Sequence, residues 1–335
     1  MYARFNLQYD NYILNQLENY NFGYNEILSV GKYKIFGDSY VKRSLIKYDA
    51  TAVNNFIINN NINDYDLSLH MTVATSSLMN YDTNINLYML SSSWTEGNGH
   101  EGMTYIEGST WNYRAEEYYM EWDNPGGDYI LSHSVSASLN YDDRYPDISY
   151  DIKNIHSLYT SGSYTNNGFL LKLDDSLEES VLSPGEIKFY SRHTNTIYKP
   201  TINISWDDSS YNTGSMELVN SSDLIIYSNN LKNKVDIENS NIRINLIVKQ
   251  LYQQKTFNTI ASGSIKYALP STATYSIIEA ATNKIIIPHS SYSKISCDGN
   301  KNYINLHNTM FNKKRIYNLY IKIDNHIYES GTLYT

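Results

Sequence analysis

At 335 residues the chain is long enough for two domains that each bury a core. Its net charge is −9 and its basic residues are scattered rather than clustered, which excludes a surface built to neutralise a phosphate backbone. The single cysteine, Cys297, excludes a disulfide framework and a multi-cysteine metal site, and no stretch approaches the roughly 18 apolar residues of a membrane span.

Charged residues make up only 18% of the chain, whereas tyrosine occurs 34 times. Such a polar surface of Tyr, Asn, Ser and Thr is common in all-β recognition and assembly proteins, because Tyr offers contact area at low entropic cost. Codon bias in an AT-rich genome is a competing source of the same composition. The amino terminus has neither a basic region followed by an apolar run nor a small-residue cleavage site. The chain is therefore expected to begin at Met1 and to be made in a cytoplasm without export.

In chain order, residues 1–37 have no clear period and read as an amino-terminal arm or edge segment. From Lys42 to Asp49 the sequence reads as a strand. The segment from Phe56 to Ile62 is rich in asparagine and suits a short helix or a loop. Leu67, Leu69 and Met71 alternate with polar residues, as do Ile85, Leu87 and Met89, which gives the period of two of a half-buried antiparallel sheet. Two glycine-flanked tryptophan segments follow, Ser93-Trp94-Thr95-Glu96-Gly97 and Gly108-Ser109-Thr110-Trp111. Beyond them, Arg114 to Trp122 begins with helix formers and ends at the turn signal Asn124-Pro125-Gly126-Gly127-Asp128. Ile152, Ile155, Leu158 and Tyr159 recur at helical spacing. Phe169, Leu171 and Leu173 then alternate, as do Ile187 with Phe189 and Ile202 with Ile204 and Trp206. A polar stretch from Asp207 to Ser215 reads as a domain boundary. Past it, Ile242 to Lys249 and Tyr317 to Asp324 alternate cleanly and bracket a second all-β domain, in which Cys297 reads as a small core residue.

Several of these segments carry a resemblance. They are Arg43-x-Leu45-Ile46-Lys47-Tyr48-Asp49, Trp94-Thr95-Glu96-Gly97-x-Gly99, Gly108-Ser109-Thr110-Trp111, Asn166 to Leu173, Phe189-Tyr190-Ser191-Arg192-His193 and Lys199 to Trp206. In that order they are similar to the DNRLRE domain, a jelly roll related to carbohydrate-binding modules. The version here resembles a copy in structural proteins of tailed-bacteriophage particles, notably of crAss-like phages and cyanobacterial myoviruses. In those proteins a second β domain follows, similar to Leu251–Phe257, Tyr267–Ile277 and Lys294–Asp298 here. The resemblance implies an all-β chain with an amino-terminal jelly-roll β-sandwich at 38–210, after the arm at 1–37, and a smaller immunoglobulin-like β-sandwich at 211–335. It also places Trp94 and Trp111 among framework positions, and Trp206 is read as core with them. The stretch beyond Trp111 is longer than the family's usual compact return, so it is an insertion.

Catalytic motifs are not found. Nucleophile elbows, phosphate loops and dinucleotide fingerprints need glycines at fixed spacing between a strand and a helix, and His100-Glu101 lacks the second histidine of a zinc protease. The chain is accordingly read as a non-enzymatic structural component of a tailed-phage virion in its neck, collar or tail. Its expected partners are portal, neck or tail proteins and copies of itself, with no nucleic acid and no membrane. The alternative is a carbohydrate-binding module or adhesin on a host surface glycan. Trp122, Tyr118 and Tyr119 in the insertion are the candidate contact residues, with Trp122 expected to be exposed. No cofactor is expected. The acidic group Asp142, Asp143 and Asp147 could supply hard oxygens to a structural calcium ion, but its spacing departs from an EF-hand and a solvated loop is the preferred reading.

Overall fold

A computed structural model of the chain describes residues 1–77, 82–100, 107–139, 147–219, 223–228, 241–251 and 266–335. The protein is all-β, with several sheets and three short helices among the described residues. It divides into two compact units. One comprises Phe5–Asn203, and the other combines Met1–Arg4 with Ile204–Thr335. Among the described residues no helix is long and apolar enough to cross a membrane.

The strands that concern the Phe5–Asn203 unit are β1 (Tyr2–Asn6), β2 (Tyr9–Leu14), β3 (Ile27–Ile35), β4 (Asp38–Lys47), β5 (Tyr65–Met71), β6 (Val73–Ser77), β7 (Thr83–Leu90), β8 (Tyr113–Ala115), β9 (Met120–Glu121), β10 (Tyr129–Leu139), β11 (Ile148–Asp151), β12 (Phe169–Leu173), β13 (Gly185–Tyr190) and β14 (Thr201–Trp206). A large sheet runs β10-β7-β12-β4-β3-β13-β6, and β2 pairs along β4 outside that path. In a second sheet β5 pairs antiparallel with β11, Ile148 standing opposite Met71 and Asp151 opposite Ser68. The division between the two units falls inside β1 and inside β14.

The segment read as an arm or edge segment supplies two strands to the large sheet. β3 lies between β4 and β13, with Leu28 and Val30 fully buried, and β2 places Ile13 and Leu14 in the interior. β2 and β3 both pair with the nearby β4, and β3 is covered on its other side by β13, which lies far along the chain.

On β5, Leu67, Leu69 and Met71 are buried, as their alternation predicts. β7 departs from a half-buried strand, since its polar residues are covered too. Asn86 and Asn84 face Ser136 and Ser138 of β10 in register and accept their hydroxyl hydrogen bonds at 2.6 and 2.7 Å. Helix α1 (Ala50–Asn59) starts where the Asp49 side chain accepts from Ala52 N–H at 2.9 Å, a carboxylate cap on the first turn, and buries Val53 and Ile57. Helix α2 (Lys153–Thr160) buries Ile155 and Tyr159, as their helical spacing predicts, while Leu158 of the same set is half-buried and His156 is buried as well.

The other unit contains β15 (Tyr211–Asn212), β16 (Glu217–Leu218), β17 (Leu224–Ser228), β18 (Asn241–Gln250), β19 (Tyr267–Ala268), β20 (Thr274–Glu279), β21 (Ile285–Ile287), β22 (Ser296–Asp298), β23 (Asn302–His307), β24 (Ile316–Ile323) and β25 (His326–Tyr334). They form sheets of order β15-β22-β23-β18-β17 and β21-β20-β24-β25. Their inward residues make one apolar cluster, in which Ile244, Leu246 and Val248 of β18 join Tyr317, Leu319, Ile321 and Ile323 of β24. Cys297 is buried beside Met216, as a small hydrophobe.

His156 illustrates how a polar group is held in the core of the Phe5–Asn203 unit. It is 1% exposed, its Nδ1 lies 2.9 Å from the Tyr48 hydroxyl, and its Nε2 has no partner among the described residues. Burial pushes its pKa down to about 4. A depressed histidine pKa contributes stability above the unfolded value near 6.5 that is lost as pH falls toward the folded value. Thermal melts of the wild type and of His156→Leu from pH 7 to pH 4 should therefore diverge, the wild type losing stability relative to the variant as pH falls. A stability difference that does not change with pH would refute the assignment.

Candidate functional site

The insertion after Trp111 is held down by charge. Arg43 of β4 donates to Glu178 Oε1 from Nε at 2.8 Å and to the Gly126 carbonyl at 2.9 Å, and its guanidinium lies 5.0 Å from the Trp111 ring centroid. Lys172 of β12 reaches the same carboxylate, with Nζ 3.5 Å from Glu178 Oε2. The turn at Asn124–Gly127 thereby folds back on the sheet, and it carries Trp122 with it.

Trp122 was expected to be exposed, and the structure corrects this. The residue is 4% exposed, its Nε1 donates to the Thr110 carbonyl at 3.0 Å, and it packs with Trp94, Ile13, Leu45, Leu90 and Leu170. A large apolar ring with a single donor is stable inside once that donor has an acceptor, and Thr110 supplies one. The two tyrosines beside it do point outward. Tyr118 and Tyr119 are 67% and 80% exposed and Met120 is also exposed. They sit on the 3-10 turn Glu116–Tyr118 and the short β8–β9 pairing, where Tyr119 takes a left-handed conformation with φ 53°.

Of the acidic group proposed for calcium, Asp142 and Asp143 lie outside the described residues. Asp147 accepts from Thr72 Oγ1 and Val73 N–H at 3.3 and 3.2 Å and stands 3.5 Å from His70 Nε2. These contacts tie its carboxylate to the junction of β5 and β6. Elsewhere an open depression of about 560 Å³ is lined by Gln8, Asp49, Asn54, Tyr164, Thr165 and Asn166 among others.

The densest polar assembly was not singled out by sequence reasoning. It is organised by two buried asparagines. Asn21 donates from Nδ2 to the Glu96 and Ser109 carbonyls at 2.7 and 2.8 Å, and its Oδ1 accepts from Gly23 and Gly99 N–H at 3.0 and 2.8 Å. Asn11 donates to the Ser109 carbonyl at 2.8 Å and accepts from Phe22 N–H. Gly97 has φ +74°, and a Cβ there would run into the Asn21 amide and the Glu107 carbonyl, which is why the segment after Trp94 needs glycine. Held this way, Glu96 stands over Asp10 of β2 and against the turn after β13.

Four side chains then meet. Asp10 N–H donates to Glu96 Oε1 at 2.9 Å, Arg192 N–H donates to Asp10 Oδ2 at 2.6 Å, and His193 Nε2 lies 3.3 Å from Glu96 Oε1. The Arg192 guanidinium lies 3.4 Å from Glu96 Oε2 and also donates to the Gln8 carbonyl. Tyr24 packs on the His193 ring at 4.6 Å and on His100 at 4.9 Å. Asp10 is 1% exposed and its Oδ1 has no partner among the described residues. Burial raises the Asp10 pKa to about 8; the hydrogen bond from Arg192 N–H opposes the rise and the Glu96 charge adds to it. Glu96, Arg192 and His193 fall within segments read as framework, and Asp10 within the presumed arm. The signal that was available is an ionisable residue inside an otherwise apolar β2, Asp10-Asn11-Tyr12-Ile13-Leu14.

No protein-family profile and no curated protein matches this chain.

Replacing Asn21 by Ala would strand the Gly23 and Gly99 donors and the Glu96 carbonyl, while the Ser109 carbonyl keeps its bond from Asn11. Chemical denaturation should show a loss of at least about 3 kcal/mol, since each unsatisfied buried group costs about 1–3 kcal/mol. A loss below about 1 kcal/mol would mean that the clasp is not what holds the glycine segment.

Proposed function

We propose that this chain is a non-enzymatic structural component of a tailed-phage virion, placed in the neck, collar or tail and acting by protein–protein assembly. Its two β units would then be a DNRLRE-type jelly-roll sandwich and a smaller immunoglobulin-like sandwich. The observation that carries the reading is how the landmark residues of the resemblance are used. Arg43 anchors the insertion and Asp49 caps α1. Trp94 donates to the Asn167 carbonyl, and Asn166 donates to the Tyr48 carbonyl. Gly97 and Gly99 close on Asn21. All of them work as scaffold. What the scaffold offers outward is Tyr118, Tyr119 and Met120, an aromatic surface of the kind that anchors assembly interfaces. Partners would be portal, neck or tail proteins or further copies of this chain, with symmetry supplying avidity.

A glycan-binding module is the second reading, and the open depression bordered by Tyr164 and amide side chains favours it. The burial of Trp122 removes the aromatic residue on which that reading first rested.

Protein inventories of purified particles, together with antibody labelling of intact virions, test the assembly reading, and absence from both would overturn it. The double variant Tyr118→Ser/Tyr119→Asn should leave stability within about 0.5 kcal/mol, because both side chains are exposed and Asn tolerates the left-handed backbone. It should abolish incorporation into particles in a complementation assay. Normal incorporation would exclude this surface as the interface.

A further inference from the structure

We propose that Asp10, Glu96 and His193 form a binding site for one divalent d-block cation of the zinc class, a structural centre that ties three distant segments of the Phe5–Asn203 unit together.

One donor atom from each residue lies within 4.8 Å of the others. Zinc bonds to imidazole nitrogen and carboxylate oxygen at about 2.0–2.2 Å in tetrahedral geometry, so neighbouring ligand atoms should stand about 3.4 Å apart. His193 Nε2 and Glu96 Oε1 already stand 3.3 Å apart. The two edges to Asp10 are no longer than 4.8 Å, so binding would draw the three donors together.

An independent observation points to a ligand here. The Asp10 carboxylate is 1% exposed, and Oδ1 has no partner among the described residues while Oδ2 takes the Arg192 N–H. A buried carboxylate with an unused oxygen, set beside a second carboxylate, is costly unless a proton or a cation joins them. Arg192 lies near the oxygen of Glu96 opposite the one facing His193, and it is shared with the Gln8 carbonyl. The charges of Arg192 and Lys199 reach Asp10 from a distance, but neither side chain contacts its free oxygen among the described residues.

The donors that orient the site are also present. Arg192 N–H holds Asp10 Oδ2, Asp10 N–H holds Glu96 Oε1, and the Tyr24 ring packs against His193. Outer contacts of this kind fix ligand orientation at metal sites. One imidazole nitrogen and two carboxylates suit zinc and its d-block neighbours, whereas calcium takes six to eight oxygens. Because the ligands come from β2, from the glycine segment after β7 and from the turn after β13, cation binding would act on the folded state alone and so stabilise it.

The test uses the full chain, stripped with chelator and then titrated separately with Zn²⁺, Co²⁺, Ca²⁺ and Mg²⁺. The expected result is one Zn²⁺ per chain by elemental analysis, a melting temperature raised by Zn²⁺ and not by Ca²⁺ or Mg²⁺, and visible absorption from bound Co²⁺ in a tetrahedral field. His193→Ala should weaken Zn²⁺ binding by about a hundredfold. Asp10→Asn keeps an oxygen for Arg192 N–H, so it should fold and yet lose the Zn²⁺-dependent rise in melting temperature. No bound Zn²⁺ and equal melting temperatures with and without it would overturn the proposal, as would Zn²⁺ affinity unchanged in both variants. Stabilisation by Ca²⁺ in place of Zn²⁺ would overturn the class of cation.

Discussion

The Phe5–Asn203 unit depends on the buried amide of Asn21. A primary amide has two donors and an acceptor with two lone pairs, and Asn21 uses them on the Glu96 and Ser109 carbonyls and on the Gly23 and Gly99 N–H groups. The segment from Trp94 to Gly99 forms no strand; Thr95 bonds to Arg114 and Ser109 and the Gly99 carbonyl to Tyr24, and Asn21 serves the Glu96 carbonyl and the Gly99 N–H that these leave. The amide substitutes for a missing strand. With it in place, Trp94 can seat its ring in the core and donate to the Asn167 carbonyl, and Glu96 is carried to Asp10.

The same unit handles charge in two ways. Around Glu178 both carboxylate oxygens have a cation nearby, Oε1 hydrogen-bonded by Arg43 and Oε2 3.5 Å from Lys172 without a hydrogen bond, and these charges clamp the insertion onto the sheet. Around Asp10 the balance is unfinished, since of the two carboxylates only Glu96 meets the Arg192 guanidinium, Asp10 takes the Arg192 backbone N–H, and one Asp10 oxygen is left over. Complete networks rigidify a fold, and incomplete ones mark where a ligand or a proton belongs. The first explains why Trp122 is inside. The second is why the turn after β13 reads as more than a connection.

Much of the architecture was legible. The alternation at Leu67–Met71 and at Ile242–Lys249, the spacing Ile155–Tyr159 and the apolar surroundings of Cys297 each correspond to what is buried. Trp122 was not legible, because a tryptophan in a glycine-rich insertion carries the same letters whether the turn folds outward or back. Its burial hangs on Arg43 and Thr110, which lie far away or behind a turn. The first 37 residues were read as peripheral for a related reason. β3 is central only because β13, some 150 residues later, pairs with it.

By itself the sequence determined the class of structure, since period-two alternation, scarce helix formers and tryptophans next to glycine turns leave little besides antiparallel sheet. It also determined which residues are apolar enough to be inside. Tertiary structure alone decided which polar residues meet. A strand's pattern encodes the face a side chain takes but not the strand across from it, and Asp10, Glu96 and His193 become neighbours only when β2, the glycine segment and the turn after β13 are brought together by pairings of long sequence separation.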